Sequence, residues 1–195
     1  MSQRTGVNKL GSTFFGATPT NSTDGASVLG REYTQKDKVR NYERETRYRL
    51  VRNGSGAALL PSRIVALSGD GRTANGYALD GETNTAVVDE LLPAAGVASN
   101  DIFWVAIKGP QLVLTALGND AADYAVGNLL APITAATSGA TTAGRVKNRS
   151  IGAATADATA GQRATTENLA TRFRAMSLAL TNSTNNLILV DINPW

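Results

Sequence analysis

The stretch Ile102–Leu117, IFWVAIKGPQLVLTAL, constrains the fold more than any other part of the chain. Ile102, Trp104 and Ala106 alternate with Phe103, Val105 and Ile107, and both sets are apolar. Successive side chains of a strand point to opposite faces, so this run is expected to be buried on both faces, or on one face and an interface. Lys108-Gly109-Pro110 divides it. Proline has no amide for a central ladder, so the stretch reads as a hairpin of two buried strands with its turn there.

Shorter elements surround it. Tyr48 and Leu50, then Ile64 and Ala66, have strand spacing, and Ser68-Gly69-Asp70-Gly71 is a turn signal. Tyr77–Leu79, Thr85–Leu92, Tyr124–Ile133 and Leu187–Val190 read as further strands, with Pro93–Asn100 as a loop. Arg145, Lys147 and Arg149 have strand spacing and would face one way. Over Thr166–Leu180, Leu169, Phe173, Met176 and Leu180 fall on one helical stripe, with Glu167 in the first turn, which predicts a helix. The expected fold is mainly β: a small β-barrel or sandwich-like domain with one short α-helix and an extended N-terminal arm.

The arm is expected over residues 1–45 and the β-rich domain over 46–195. Ser2–Gly30 holds five glycines among Ser, Thr and Asn, and its apolar residues follow no period. Such a segment cannot offset its ordering entropy alone, but the adjacent pair Phe14-Phe15 gives it something to lay on a partner. Residues 31–52 change character: eight basic residues against four acidic ones exceed the whole chain's net charge of +3. Tyr33, Tyr42 and Tyr48 are interleaved with Arg40, Arg44, Arg47 and Arg49. Arginine and tyrosine together are the chemistry of interfaces. Trp195, last and preceded by Pro194, gains little unless it docks. Phe14, Phe15, Tyr33, Arg40, Tyr42, Arg44, Arg47, Arg49 and Trp195 are therefore the candidate partner-binding residues.

The chain has no His and no Cys, which removes Ser-His-Asp and Cys-His arrangements and thiolate metal sites. Asp70, Asp80, Glu82, Asp89 and Glu90 lack EF-hand spacing. A carboxylate pair of the glycosidase kind is chemically sufficient, but only 6% of residues are aromatic, poor material for a sugar groove. The glycine-rich turns contain no phosphate-loop motif. The expectation is a non-enzymatic protein with no cofactor and no metal. No run is long and apolar enough to cross a bilayer, so no membrane partner is expected.

From Ile64 onward the chain resembles the capsid decoration, or cement, proteins of tailed double-stranded DNA bacteriophages. The resemblance rests on Ile64–Gly81 (IVALSGDGRTANGYALDG), the run Asp101–Leu117 with WVAIKGP, the element Gly127-Asn128-Leu129-Leu130, and the ending Ala175–Pro194. It departs in its long arm and its Arg/Tyr segment. The resemblance implies a β-barrel on the outer capsid surface of the virion, assembled in the host cytoplasm, with an arm clamping neighbouring major capsid subunits. It implies the major capsid protein and copies of itself as partners, a trimer first and a dimer second, and it carries no catalytic residues. Other minor virion roles, such as a head-fibre base, share these features. A nucleic-acid-binding barrel using residues 31–52 is the alternative of a different class, opposed by the weakly acidic remainder of the chain.

Overall fold

The computed structural model describes residues 29–39, 42–79, 82–115, 126–127, 129–133, 143–148, 173–176 and 187–192. These form ten strands: β1 Glu32–Val39, β2 Tyr42–Asn53, β3 Ile64–Leu67, β4 Thr73–Tyr77, β5 Thr85–Val88, β6 Ile102–Leu114, β7 Leu129–Pro132, β8 Val146–Asn148, β9 Phe173–Ala175 and β10 Leu187–Ile192. The protein is mainly β, and no helix occurs among the described residues.

Strand β6 runs unbroken for 13 residues. The expected turn at Lys108-Gly109-Pro110 is absent; the strand changes partner there instead. Ile102–Lys108 pair with β2, and Gly109–Leu114 pair with β10. Gly109 adopts φ +90°, and a Cβ at this position would run into the Glu45 carbonyl oxygen. Thr46 Oγ1 donates to the Pro110 carbonyl at 3.1 Å, and β2 shifts register between Arg47 and Tyr48. Glycine and proline thus mark an irregular point inside a strand, the kind of place where proline is tolerated in a sheet.

The expectation of burial on both faces is met over Ile102–Ala106, whereas Lys108 is exposed and the residues after it alternate between buried and half-buried. Strands β2, β4, β3, β5 and β6 pair in that order, and β6 pairs back to β2, so the pairings close on themselves. The β2–β4 contact is parallel and the other four are antiparallel. All five strands contribute to one core: Val51, Val65, Leu67, Ala74, Ala86, Val88, Phe103 and Val105, joined by Leu59 and Val97. Fully buried Asn53 serves one margin of this core. Its Nδ2 donates to the carbonyls of Ala57 (2.7 Å) and Val97 (2.9 Å), and its Oδ1 accepts from Ser55.

The alternate residues of the same strands build a second core. Tyr48, Leu50, Ile64, Val87, Ile102, Trp104 and Ala106 meet Leu130, Val146, Phe173, Ala175, Ile188, Val190 and Ile192. These latter residues come from β10, β9, β7 and β8, which extend the network beyond β6 in that order. One polar pair crosses this core: the Tyr48 hydroxyl donates to Gln111 Oε1 at 3.1 Å, both residues fully buried. Trp104 is a core residue.

Two expectations are corrected. Phe173–Ala175 is a strand between β10 and β7, not part of a helix over Thr166–Leu180; the rest of that stretch lies outside the described residues. Phe173 and Ala175 are buried on alternate positions, while Met176, on the helical stripe, is 46% exposed. The arm boundary after residue 45 falls inside β2, because residues 32–39 pair continuously with 42–49. Arg145 is buried and donates to the Thr115 carbonyl at 3.0 Å; Arg149 lies outside the described residues.

Gly109→Ala is expected to lower stability by about 3 kcal/mol, since it adds backbone strain to a collision with a backbone carbonyl. Gly56→Ala, with φ +78° but open space around the Cβ, is expected to cost about 1 kcal/mol. Urea denaturation of the two variants beside the parent checks both the values and their order.

Candidate interaction surface

The β1–β2 hairpin sorts its side chains by face. Tyr33 lies across from Tyr48 and Gln35 across from Thr46, and these four are buried or half-buried. The Tyr33 ring meets Trp104 at 6.4 Å between centroids, tilted by 58°. Glu32 lies across from Arg49, Thr34 from Arg47 and Lys36 from Glu45, with all but half-buried Arg49 exposed. The period-2 pattern therefore places the aromatic row inward and the charged row outward.

The outward row is tied by ion pairs across the hairpin. Arg49 Nη2 and Nε donate to Glu32 Oε1 at 2.6 and 3.2 Å, and Arg47 Nη1 lies 3.5 Å from Glu32 Oε2. Lys36 Nζ lies 3.9 Å from Glu45 Oε2. Exposed pairs of this kind contribute about 0.2–1 kcal/mol each. Their larger effect is on the outward potential. Glu32 serves two guanidinium groups, and Arg47 has Lys108 of β6 as its cross-strand partner on the other side. Like charges set opposite one another oppose pairing. This face thus carries Lys36, Arg47, half-buried Arg49 and Lys108 against Glu32 and Glu45, a cationic corner.

The β3–β4 turn closes over the end of this row. A Cβ at Gly71, where φ is +68°, would strike the Arg49 guanidinium, so the turn rests directly on that side chain. Asp70 organises the turn: its Oδ1 accepts from Ser68 Oγ at 2.5 Å and from the Arg72 amide at 3.1 Å. These two donors, led by the Ser68 hydroxyl, hold the Asp70 carboxyl below its ordinary range.

Of the candidate partner-binding residues, Tyr33, Arg47 and Arg49 fall on this hairpin, with Tyr33 turned inward. Tyr42 and Arg44 lie in β2, across from Val39 and Asp37. Phe14, Phe15, Arg40 and Trp195 lie outside the described residues. Sequence reasoning missed Glu32 and Lys108 as members of the surface. The signal for Glu32 was the alternation of Glu32, Thr34 and Lys36 with Tyr33 and Gln35, which reads as a strand with one solvated face. The β6 partner of Arg47 left no local signal.

The other carboxylates serve the backbone. Glu82 accepts from the Leu79 amide at 2.9 Å, Asp89 from Leu91 at 3.2 Å, and Glu90 from Leu112 at 3.3 Å. Asp80 lies outside the described residues. Among the described residues, no three His, Cys, Asp or Glu side chains group as a metal site. No described helix is long and apolar enough to cross a membrane. Compared with models of protein families and with curated proteins, the chain matches none.

The lowered carboxyl of Asp70 fixes a sign. A group depressed in the folded state adds stability above its unfolded pKa of about 3.9 and loses it as pH falls through the folded value. Asp70→Asn is therefore expected to be less stable than the parent at neutral pH, with the gap closing in acid. Urea midpoints measured across that range check this; a gap that persists in strong acid would contradict it.

Proposed function

We propose that this chain is a virion structural protein that decorates the outer capsid surface of a tailed bacteriophage. In this reading the closed pairing of β2, β4, β3, β5 and β6 is a small barrel, and the hairpin is its reaching element. The partners are the major capsid protein and further copies of the chain.

The observation that carries the reading is the hairpin. Contacts of β2 with β6 reach Glu45 and Thr46. The two strands continue to Tyr42 and Val39, about 10 Å further at ~3.3 Å per residue. Among the described residues, nothing but the hairpin itself pairs there. A stiff two-stranded element with a cationic exposed face suits docking on acidic protein surface, and many copies on one shell need only modest affinity each. A protein that binds the assembled shell alone opposes its disassembly by mass action.

Co-sedimentation with capsids from the same source, followed by imaging at saturation, tests the reading. Regular density at a fixed ratio to the major capsid protein is expected. Arg47→Gln combined with Lys108→Gln is expected to weaken binding about tenfold and to flatten its salt dependence, with the circular dichroism spectrum unchanged. Intact capsids that bind none of the folded protein would sink the proposal, and steep salt-dependent binding to DNA instead would favour the nucleic-acid alternative.

A further inference from the structure

Strand β1 stands at one end of the strand order, paired to β2 on one side and, among the described residues, to no strand on the other. The phase of its ladder follows from one bond: the Leu50 amide donates to the Arg31 carbonyl at 2.9 Å. Alternate residues of a strand turn their N–H and C=O groups to opposite edges. Arg31, Tyr33 and Gln35 therefore turn theirs to β2, and Glu32, Thr34 and Lys36 turn theirs to the open edge. The same three residues are exposed.

Charge on an edge strand commonly guards it against pairing with other chains. Here the charges are self-complementary. Place a two-fold axis at Thr34 and pair two copies of β1 antiparallel. Thr34 then faces its own copy, and each Glu32 faces Lys36 of the other chain. In that register Glu32, Thr34 and Lys36 form the hydrogen-bonded pairs and Tyr33 opposite Gln35 the non-bonded pairs between them, so the backbone ladder and the charge row agree. An axis at Glu32 or at Lys36 would set like charges face to face.

From this we infer that the open edge of β1 is a self-association surface, on which a second copy of this chain adds its own β1 across a two-fold axis. The contact is isologous and continues the sheet from one subunit into the next, with backbone bonds supplying affinity and the Glu32–Lys36 pairs fixing register. The inference rests on the hairpin and not on the capsid reading, and its test contains no capsid, so either can fail without the other.

Native mass spectrometry and sedimentation of the full chain over a dilution series test it. The parent is expected to form a dimer that dissociates on dilution. Glu32→Lys and Lys36→Glu each set like charges opposite one another in the dimer, and each alone is expected to dimerise at least tenfold more weakly. Mixed, they are expected to form a mixed dimer, because each supplies the charge the other lacks. Thr34→Pro removes an amide that β2 does not use, so it is expected to keep its β spectrum and remain monomeric. Glu32 also pairs with Arg47 and Arg49; should Glu32→Lys fail to fold, Lys36→Glu and Thr34→Pro carry the test. A parent monomeric at every concentration would overturn the inference. So would a folded Thr34→Pro that dimerises like the parent, or two folded charge variants that form no mixed dimer.

Discussion

The structure depends on one strand whose first five residues, Ile102–Ala106, are buried on both faces. Through Phe103 and Val105, β6 completes the core shared by the five strands whose pairings close on themselves. Through Ile102, Trp104 and Ala106, it also contributes to the core that holds β7 to β10. It then passes from β2 to β10 as partner without a chain reversal, and only Gly109, at φ +90°, can stand where the Glu45 carbonyl approaches. A strand with one polar face could support one of these cores but not both.

This arrangement decides where charge can go. With both faces of Ile102–Ala106 occupied by packing, Glu32, Lys36, Glu45 and Arg47 are left to the outward face of the hairpin. The same two strands carry the Tyr33, Tyr48 and Leu50 row inward, which anchors the hairpin to Trp104 and the second core. The charged surface is thus rigidly backed, and its cross-strand ion pairs set a fixed pattern of charge. That combination of stiff backing, projecting strands and an open edge is what the proposed docking and the proposed self-pairing both draw on.

Much of this was legible in the sequence, and the failures have physical reasons. The two apolar sets of Ile102–Ile107 predicted burial on both faces because period-2 alternation is local. The turn at Ser68–Gly71 and the strands at Thr85–Val88 and Leu187–Val190 were readable for the same reason. Gly109-Pro110 misled because a partner change and a turn use the same residues, and the deciding contact, Glu45, lies far away in sequence. Phe173–Ala175 misled because Leu169, Phe173, Met176 and Leu180 satisfy a helical period, whereas the strand is chosen by its neighbours β7 and β10. Strand β1 was taken as part of an arm because its charge hides its strand character until Glu32 is set against Arg49. Of the candidate surface, the arginines and Tyr33 were readable by residue type; Lys108 was not, because only the fold brings it beside Arg47.

The most direct test of the account is residue-resolved amide hydrogen exchange on the free protein along Ile102–Leu114. If one continuous strand unites both cores, Phe103, Val105, Gly109, Gln111 and Val113 belong to a single slowly exchanging unit, opening together near the global limit. Fast exchange confined to Lys108, Gly109 and Gln111, between two protected flanks, would mark a hairpin turn at that point and contradict the account.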